Sequence, residues 1–180
     1  MTGNEYRDLV AGYIHRVYGG FGLAVYTEIA LGKTIIGKDR KIDVFVVRAN
    51  DRRNYSPDQH ALAIECKFQD AQGTTDEKIP YSLEDLEALW VPGCLCYAGE
   101  GWSRGILHTL EASKRAAFCL PWPDSELHGP ETRQLDHILA ATFGLWELVL
   151  PESRRFSVKL VAGSPNGSLK IRKRDRARED

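Results

Sequence analysis

The sequence predicts an α/β fold, a mixed central β-sheet flanked by helices, laid down in the order helix, three strands, helix, strand, helix. Two observations lead to it. Hydrophobic spacing switches along the chain from helical period to short strand-like runs and back, and strands interleaved with helices build sheets whose neighbours run partly parallel. In addition, 180 residues with 43% hydrophobic content can bury one ordinary core but not two. A single domain is therefore expected over residues 1–162, followed by a basic, flexible tail over 163–180, where the residues become small, polar or charged.

Residues Asn4 to Val17 place Leu9, Val10, Tyr13, Ile14 and Val17 on one helical face, with Asn4 as the expected N-cap. Gly19, Gly20 and Gly22 end that helix. Three strands are expected at Ala24 to Leu31, Lys41 to Val47 and Ala61 to Phe68, each rich in Val, Ile or aromatic residues. GKTIIGKDR makes the first turn between them and ANDRRNYSPDQ the longer second one. Past Gly73 the pattern becomes helical through Ser82 to Leu89, with Ser82 and Asp85 spaced as the start of a capping box and Pro92-Gly93 as the stop. Gly93 to Ala98 reads as a fourth strand, Ser103 to Ala117 as a helix, Phe118 to Leu120 as a short strand and Glu131 to Leu145 as a helix.

No apolar run approaches the roughly 20 residues of a membrane span, and MTGNEYRDLV lacks the basic start and apolar core of a signal peptide. The expectation is a soluble cytoplasmic protein. Cys66, Cys94, Cys96 and Cys119 fall inside apolar stretches and are expected as buried thiols rather than disulfides. A net charge of -1 announces no partner, but the charges are segregated. Lys33 to Arg53 holds seven basic and three acidic residues, Lys170 to Asp180 six and three, whereas Asp70 to Glu87 holds six acidic residues and one Lys. Such a distribution lets a basic face meet phosphates while acidic groups hold a cation; solvated loops and a tail would show the same runs.

The chemistry concentrates in IDVFVV followed by AIECKF. Glu65 and Lys67 are two apart on a strand and share one side of the sheet, while Ile64, Cys66 and Phe68 take the other. Asp43 lies near the start of the preceding strand, and antiparallel pairing of the two strands would bring it beside Glu65. Two carboxylates held together in a partly buried place repel unless a positive charge joins them. A divalent cation with oxygen ligands, Mg²⁺ with Mn²⁺ as a substitute, meets that need and takes its remaining ligands from water and phosphate. Lys67 would then orient or deprotonate the attacking water and offset charge on the phosphate. A structural ion pair at a sheet edge would use the same ExK triplet.

These residues, with the surrounding element order, resemble the PD-(D/E)xK nuclease superfamily, whose restriction-endonuclease-like core carries an Asp on one strand and (D/E)xK on the next. The resemblance runs from about Asn4 to Leu120 and is specific at Asp43, Glu65 and Lys67; Ile42 stands where the motif has Pro. It implies a Mg²⁺-dependent DNA endonuclease with Asp43, Glu65 and Lys67 as catalytic residues and Asp43, Glu65 and the Cys66 backbone carbonyl as metal ligands. Members often add a carboxylate from the first helix, for which Glu5 is the candidate, with Glu28 on the first strand competing, and a Gln after the ExK, here Gln69. Gln69 and Lys78, the latter in the polar loop that follows, are the expected substrate contacts. The alternatives are a structure-selective nuclease of junction-resolvase or repair type and a nuclease-fold protein that binds DNA without cutting. DNA is the expected partner, with no membrane partner, and a homodimer or higher homo-oligomer would let two sites meet two strands. Cys94, Cys96 and His108 have the wrong spacing for a zinc finger.

Overall fold

The computed structural model describes residues 1–48, 61–71, 73, 75–122, 125 and 127–156. Helix α1 (Gly3–Tyr18) leads into strands β1 (Leu23–Lys33), β2 (Asp39–Arg48) and β3 (Ala61–Phe68). Helix α2 (Ile79–Glu87), strand β4 (Gly93–Ala98), helix α3 (Arg104–Ala112), strand β5 (Ala116–Phe118) and helices α4 (Arg133–Phe143) and α5 (Trp146–Val149) follow. The five strands form one sheet in chain order, β1-β2-β3-β4-β5. The first three are antiparallel, and β3, β4 and β5 run parallel, so the sheet is mixed as the sequence predicts.

Each face of the sheet buries a different set of helices. Tyr6, Val10 and Ile14 of α1 and Leu135, Leu139 and Phe143 of α4 pack on Val44, Val46, Leu62, Ile64, Cys66, Cys94 and Cys96. On the opposite face, Ile79 and Leu86 of α2 and Leu110 of α3 pack on Leu95 and Tyr97 with Trp102. Helices link the parallel strands because a parallel return needs a crossover. All four cysteines are free and buried.

The boundaries depart from expectation where polar groups find tertiary partners. Thr2, not Asn4, caps α1. Helix α2 starts at Ile79, with Pro80 in its first turn, rather than at Ser82. Asp85 makes no capping box: its carboxylate accepts from Arg40 Nε and Nη2, both at 2.8 Å, and from the Ile35 N–H at 2.8 Å. This forked pair ties the β1–β2 hairpin to α2, and it holds the Asp85 carboxyl below the usual range. Helix α3 ends at Ala112 because Ser113 turns extended, which frees Ala116–Phe118 to extend the sheet. The fully buried Asp136 of α4 accepts from Tyr13 and Tyr18 hydroxyls (2.7 and 2.8 Å), the Thr132 hydroxyl (2.9 Å) and the His128 N–H (2.7 Å). Four donors satisfy a charge that burial would otherwise expel, and they lock α4 to α1.

The compact unit comprises Met1–Val149. Leu150–Asp180 forms a separate unit, described through residue 156, with one 3₁₀ turn at Glu152–Arg154. The expected domain end at 162 and the basic tail lie outside the described residues. Among those residues no helix is long and apolar enough to cross a membrane.

Candidate active site

Strands β2 and β3 pair as Val44↔Ile64 and Phe45↔Ala63, and the same register continued by one residue sets Asp43 opposite Glu65. Asp43 marks a local rotation of β2. Its neighbours Ile42 and Val44 are both fully buried, yet in different clusters, the first with Ala63 and Val91, the second under α1. On a regular strand such neighbours share a face. Freed from the ladder, the Asp43 carboxylate crosses to β3 and accepts from the Cys66 N–H at 2.8 Å.

The edge of β3 that faces Asp43 can be read from its hydrogen bonds. The Ala63 N–H donates to Pro92 and the Gln69 N–H to Ala98, both on the β4 side. Alternate residues therefore turn their backbone groups to β4, and Cys66 turns both its N–H and its carbonyl to β2. The Cys66 carbonyl thus lies on the same edge as the Asp43 carboxylate.

Lys67 Nζ sits 3.1 Å from Glu65 Oε2, with the two side chains 22% and 19% exposed. Burial pushes the Glu65 carboxyl up to about 7, and the Asp43 charge adds to the rise while Lys67 opposes it. Three charged groups thus converge where the middle of β2 meets the C-terminal half of β3, flanked by the buried Ile42, Val44, Ile64 and Cys66.

A second cluster of charges meets this centre through Arg7, which senses the Asp43 charge. Glu28 has a left-handed backbone, φ 57°, and is the residue skipped between the pairs Thr27↔Val44 and Ile29↔Ile42 of the β1–β2 ladder. A side chain there is strained. Its carboxylate pairs with Arg7 Nη1 of α1 at 3.1 Å and Lys41 Nζ at 2.6 Å. Arg7 also binds Asp8 at 2.8 Å. This cluster of α1, β1 and β2 charges is not apparent in the sequence, because its members are ordinary surface residue types and only the kink at Glu28 gathers them.

The remaining candidates take other places. Glu5 completes the cap of α1: its Oε2 accepts from the Thr2 N–H at 2.6 Å, and its own N–H donates to Thr2 Oγ1 at 3.2 Å. Glu5 is exposed in this box. Thr2→Ala is expected to cost about 1 kcal/mol, read as a lower urea midpoint. Gln69 is 5% exposed, and its Nε2 donates to Asp76 Oδ1 (2.7 Å) and the Gly101 carbonyl (2.8 Å). The structure thus uses Gln69 to fasten the end of β3 to the loop before α3. Its Oε1 has no partner among the described residues. Gly99, at φ 97°, permits this closeness, since a Cβ there would stand 2.2 Å from the Gln69 carbonyl oxygen. Lys78 is exposed at the start of α2.

The family model of the PD-(D/E)XK nuclease superfamily domain matches residues 2–146, a span that holds the whole sheet and every residue of this site. The chain belongs to this superfamily. Among curated proteins and among solved structures none matches it.

As a PD-(D/E)XK nuclease domain, the chain is of a kind that hydrolyses phosphodiester bonds and generally uses divalent metals. Its donor set fits such an ion. Asp43 and Glu65 stand side by side with repulsion to be relieved, and the Cys66 carbonyl shares their edge. No three His, Cys, Asp or Glu side chains gather into a cage among the described residues. Two carboxylates and a carbonyl, with waters and phosphate oxygens to fill the rest, suit a hard cation that dehydrates reluctantly.

Proposed function

We propose that this nuclease domain is a Mg²⁺-dependent DNA endonuclease, with Mn²⁺ able to substitute. In this reading Asp43, Glu65 and the Cys66 carbonyl hold the ion, and Lys67 serves the chemical step. The supporting observation is the convergence of Asp43, Glu65 and Lys67, with Glu65 raised to about 7 by burial and by Asp43. A carboxyl in that condition gains most from a cation, and a fold has no structural need for it. Held by these residues, such an ion would supply a Lewis acid to polarise the phosphoryl group and acidify water. Lys67 orients the attacking water and offsets negative charge on the phosphate. The water oxygen bonds to phosphorus and gives up a proton to solvent, the bond to the leaving oxygen breaks, and that oxygen takes up a proton from solvent, so that one water is consumed for each bond cut. Lys78, exposed at the entry of α2, is assigned to a phosphate of the bound strand.

Supercoiled plasmid is the substrate for the test. Nicked and linear forms are expected with Mg²⁺ or Mn²⁺ and not with EDTA. Cutting in EDTA would remove the metal from the proposal, and intact plasmid bound by the protein under every condition would favour a non-cleaving DNA-binding role.

A further inference from the structure

The hairpin between β1 and β2 closes on a turn at Thr34 to Gly37. The Gly37 N–H donates to the Thr34 carbonyl (2.8 Å), the Thr34 N–H to the Lys38 carbonyl (2.8 Å), and Thr34 Oγ1 accepts from the Lys38 N–H (3.1 Å). Gly37, at φ 79°, supplies the left-handed residue. The turn is therefore made by Thr34 and Gly37. Between them stand Ile35 and Ile36, 41% and 60% exposed. Central turn positions favour Pro, Asp, Asn and Ser, and two β-branched apolar residues there contribute nothing to the turn.

The tip is also held in place. The Ile35 N–H donates to Asp85 Oδ1, and the forked Arg40–Asp85 pair fixes the hairpin base to α2. Lys33 to Lys41 contains four basic residues and one acidic residue. The Lys33–Asp39 pair is short at 2.6 Å but 63% and 89% exposed, so a phosphate can displace it. Strand β2 runs from this tip to Asp43, and four residues at about 3.3 Å each put the base of the tip roughly 13 Å from that carboxylate.

Resting on the nuclease reading, we propose that the hairpin tip is a contact for duplex DNA. Ile35 and Ile36 enter a groove as an apolar wedge between base steps, and Lys33 and Lys38 meet the flanking phosphates. Apolar wedges backed by cations are the means by which proteins unstack and bend a duplex. A second copy of this chain would cover the two isoleucines equally well, but its overall charge of -1 offers Lys33 and Lys38 far less than a phosphate backbone does.

The test is binding in EDTA to a series of duplexes carrying 2-aminopurine at stepped positions, followed by its fluorescence. Wild type is expected to bind and to brighten the probe at one or a few positions. The double variant Ile35→Ser/Ile36→Ser should bind about tenfold more weakly and leave the probe dark, while Ile35→Leu/Ile36→Leu restores both. If wild type binds duplex and cuts plasmid while the Ser variant behaves identically, the wedge is refuted and the nuclease reading stands. If wild type neither binds nor cuts DNA, both fail. A Ser variant that sediments as a smaller species with unchanged DNA binding would assign the tip to a second copy and overturn the proposal.

Discussion

Lys67→Ala is expected to cut plasmid at least about a thousandfold more slowly than wild type while remaining folded and bound to DNA, a loss on the order of 4 kcal/mol in the chemical step. The size follows from its place. Its Nζ is held 3.1 Å from Glu65 beside the carboxylate pair, and no other cation is paired with Glu65 among the described ion pairs. Loss of Lys67 does not strand a buried charge, because Glu65 rises further and takes up a proton. The fold therefore survives, as a thermal melt would show. Lys67→Arg separates the two roles of the ammonium. Arginine keeps the charge but does not release a proton, so partial activity indicates charge stabilisation and complete loss indicates proton transfer. Cleavage by Lys67→Ala within a few-fold of wild type would remove Lys67 from the site.

The second large effect is on stability without metal. Glu65 is raised from 4.5 to about 7 on folding. A carboxyl raised on folding stabilises the native state below its unfolded value and loses that contribution as pH climbs through the folded one. In EDTA, stability should therefore fall by about 3 kcal/mol between pH 4.5 and pH 7 from this group, measured by urea denaturation at several pH values. Mg²⁺ should restore most of it at pH 8 through binding linkage. Asp43→Asn removes one of the two causes of the rise but keeps an oxygen to accept from the Cys66 N–H. It should melt higher than wild type in EDTA at pH 8, show a shallower pH dependence and respond weakly to Mg²⁺. Burial, the larger cause, remains, so the slope is reduced rather than abolished. A variant that melts lower than wild type and still shifts normally with Mg²⁺ would make Asp43 a structural residue.

Much of this was legible in the chain. The sequence predicts strand β3 at Ala61 to Phe68, where it lies, and the alternation of Glu65 and Lys67 against Ile64 and Cys66 matches the packing, because period-two burial is written directly into residue order. The pairing of Asp43 with Glu65 followed from two apolar strands of matching pattern. Other features depend on long-range partners. Asp85 looked like a capping residue, and only the folded hairpin shows Arg40 and the Ile35 N–H waiting for it. Gln69 looked like a substrate contact because its spacing from Lys67 is right, but spacing does not reveal the Gly101 carbonyl and Asp76 that occupy its amide. Glu28 reads from the sequence as a competing ligand, and its left-handed backbone and double clamp by Arg7 and Lys41 have no local signal.

The coincidence of chain order with sheet order bears on how the domain is made. Each strand joins an edge already present, so none waits for a partner synthesised later. Contacts of this kind close short loops and assemble quickly. Asp43, Glu65 and Lys67 all lie within the first 68 residues, on strands that can pair while the rest of the chain is still on the ribosome, where domains fold from the N-terminus onward. Until β4 and the helix that follows it arrive, β3 is an open apolar edge interrupted by Glu65 and Lys67. These two charged side chains then serve a second purpose, because charge on an unprotected edge strand discourages the nascent strand from pairing with a neighbouring chain.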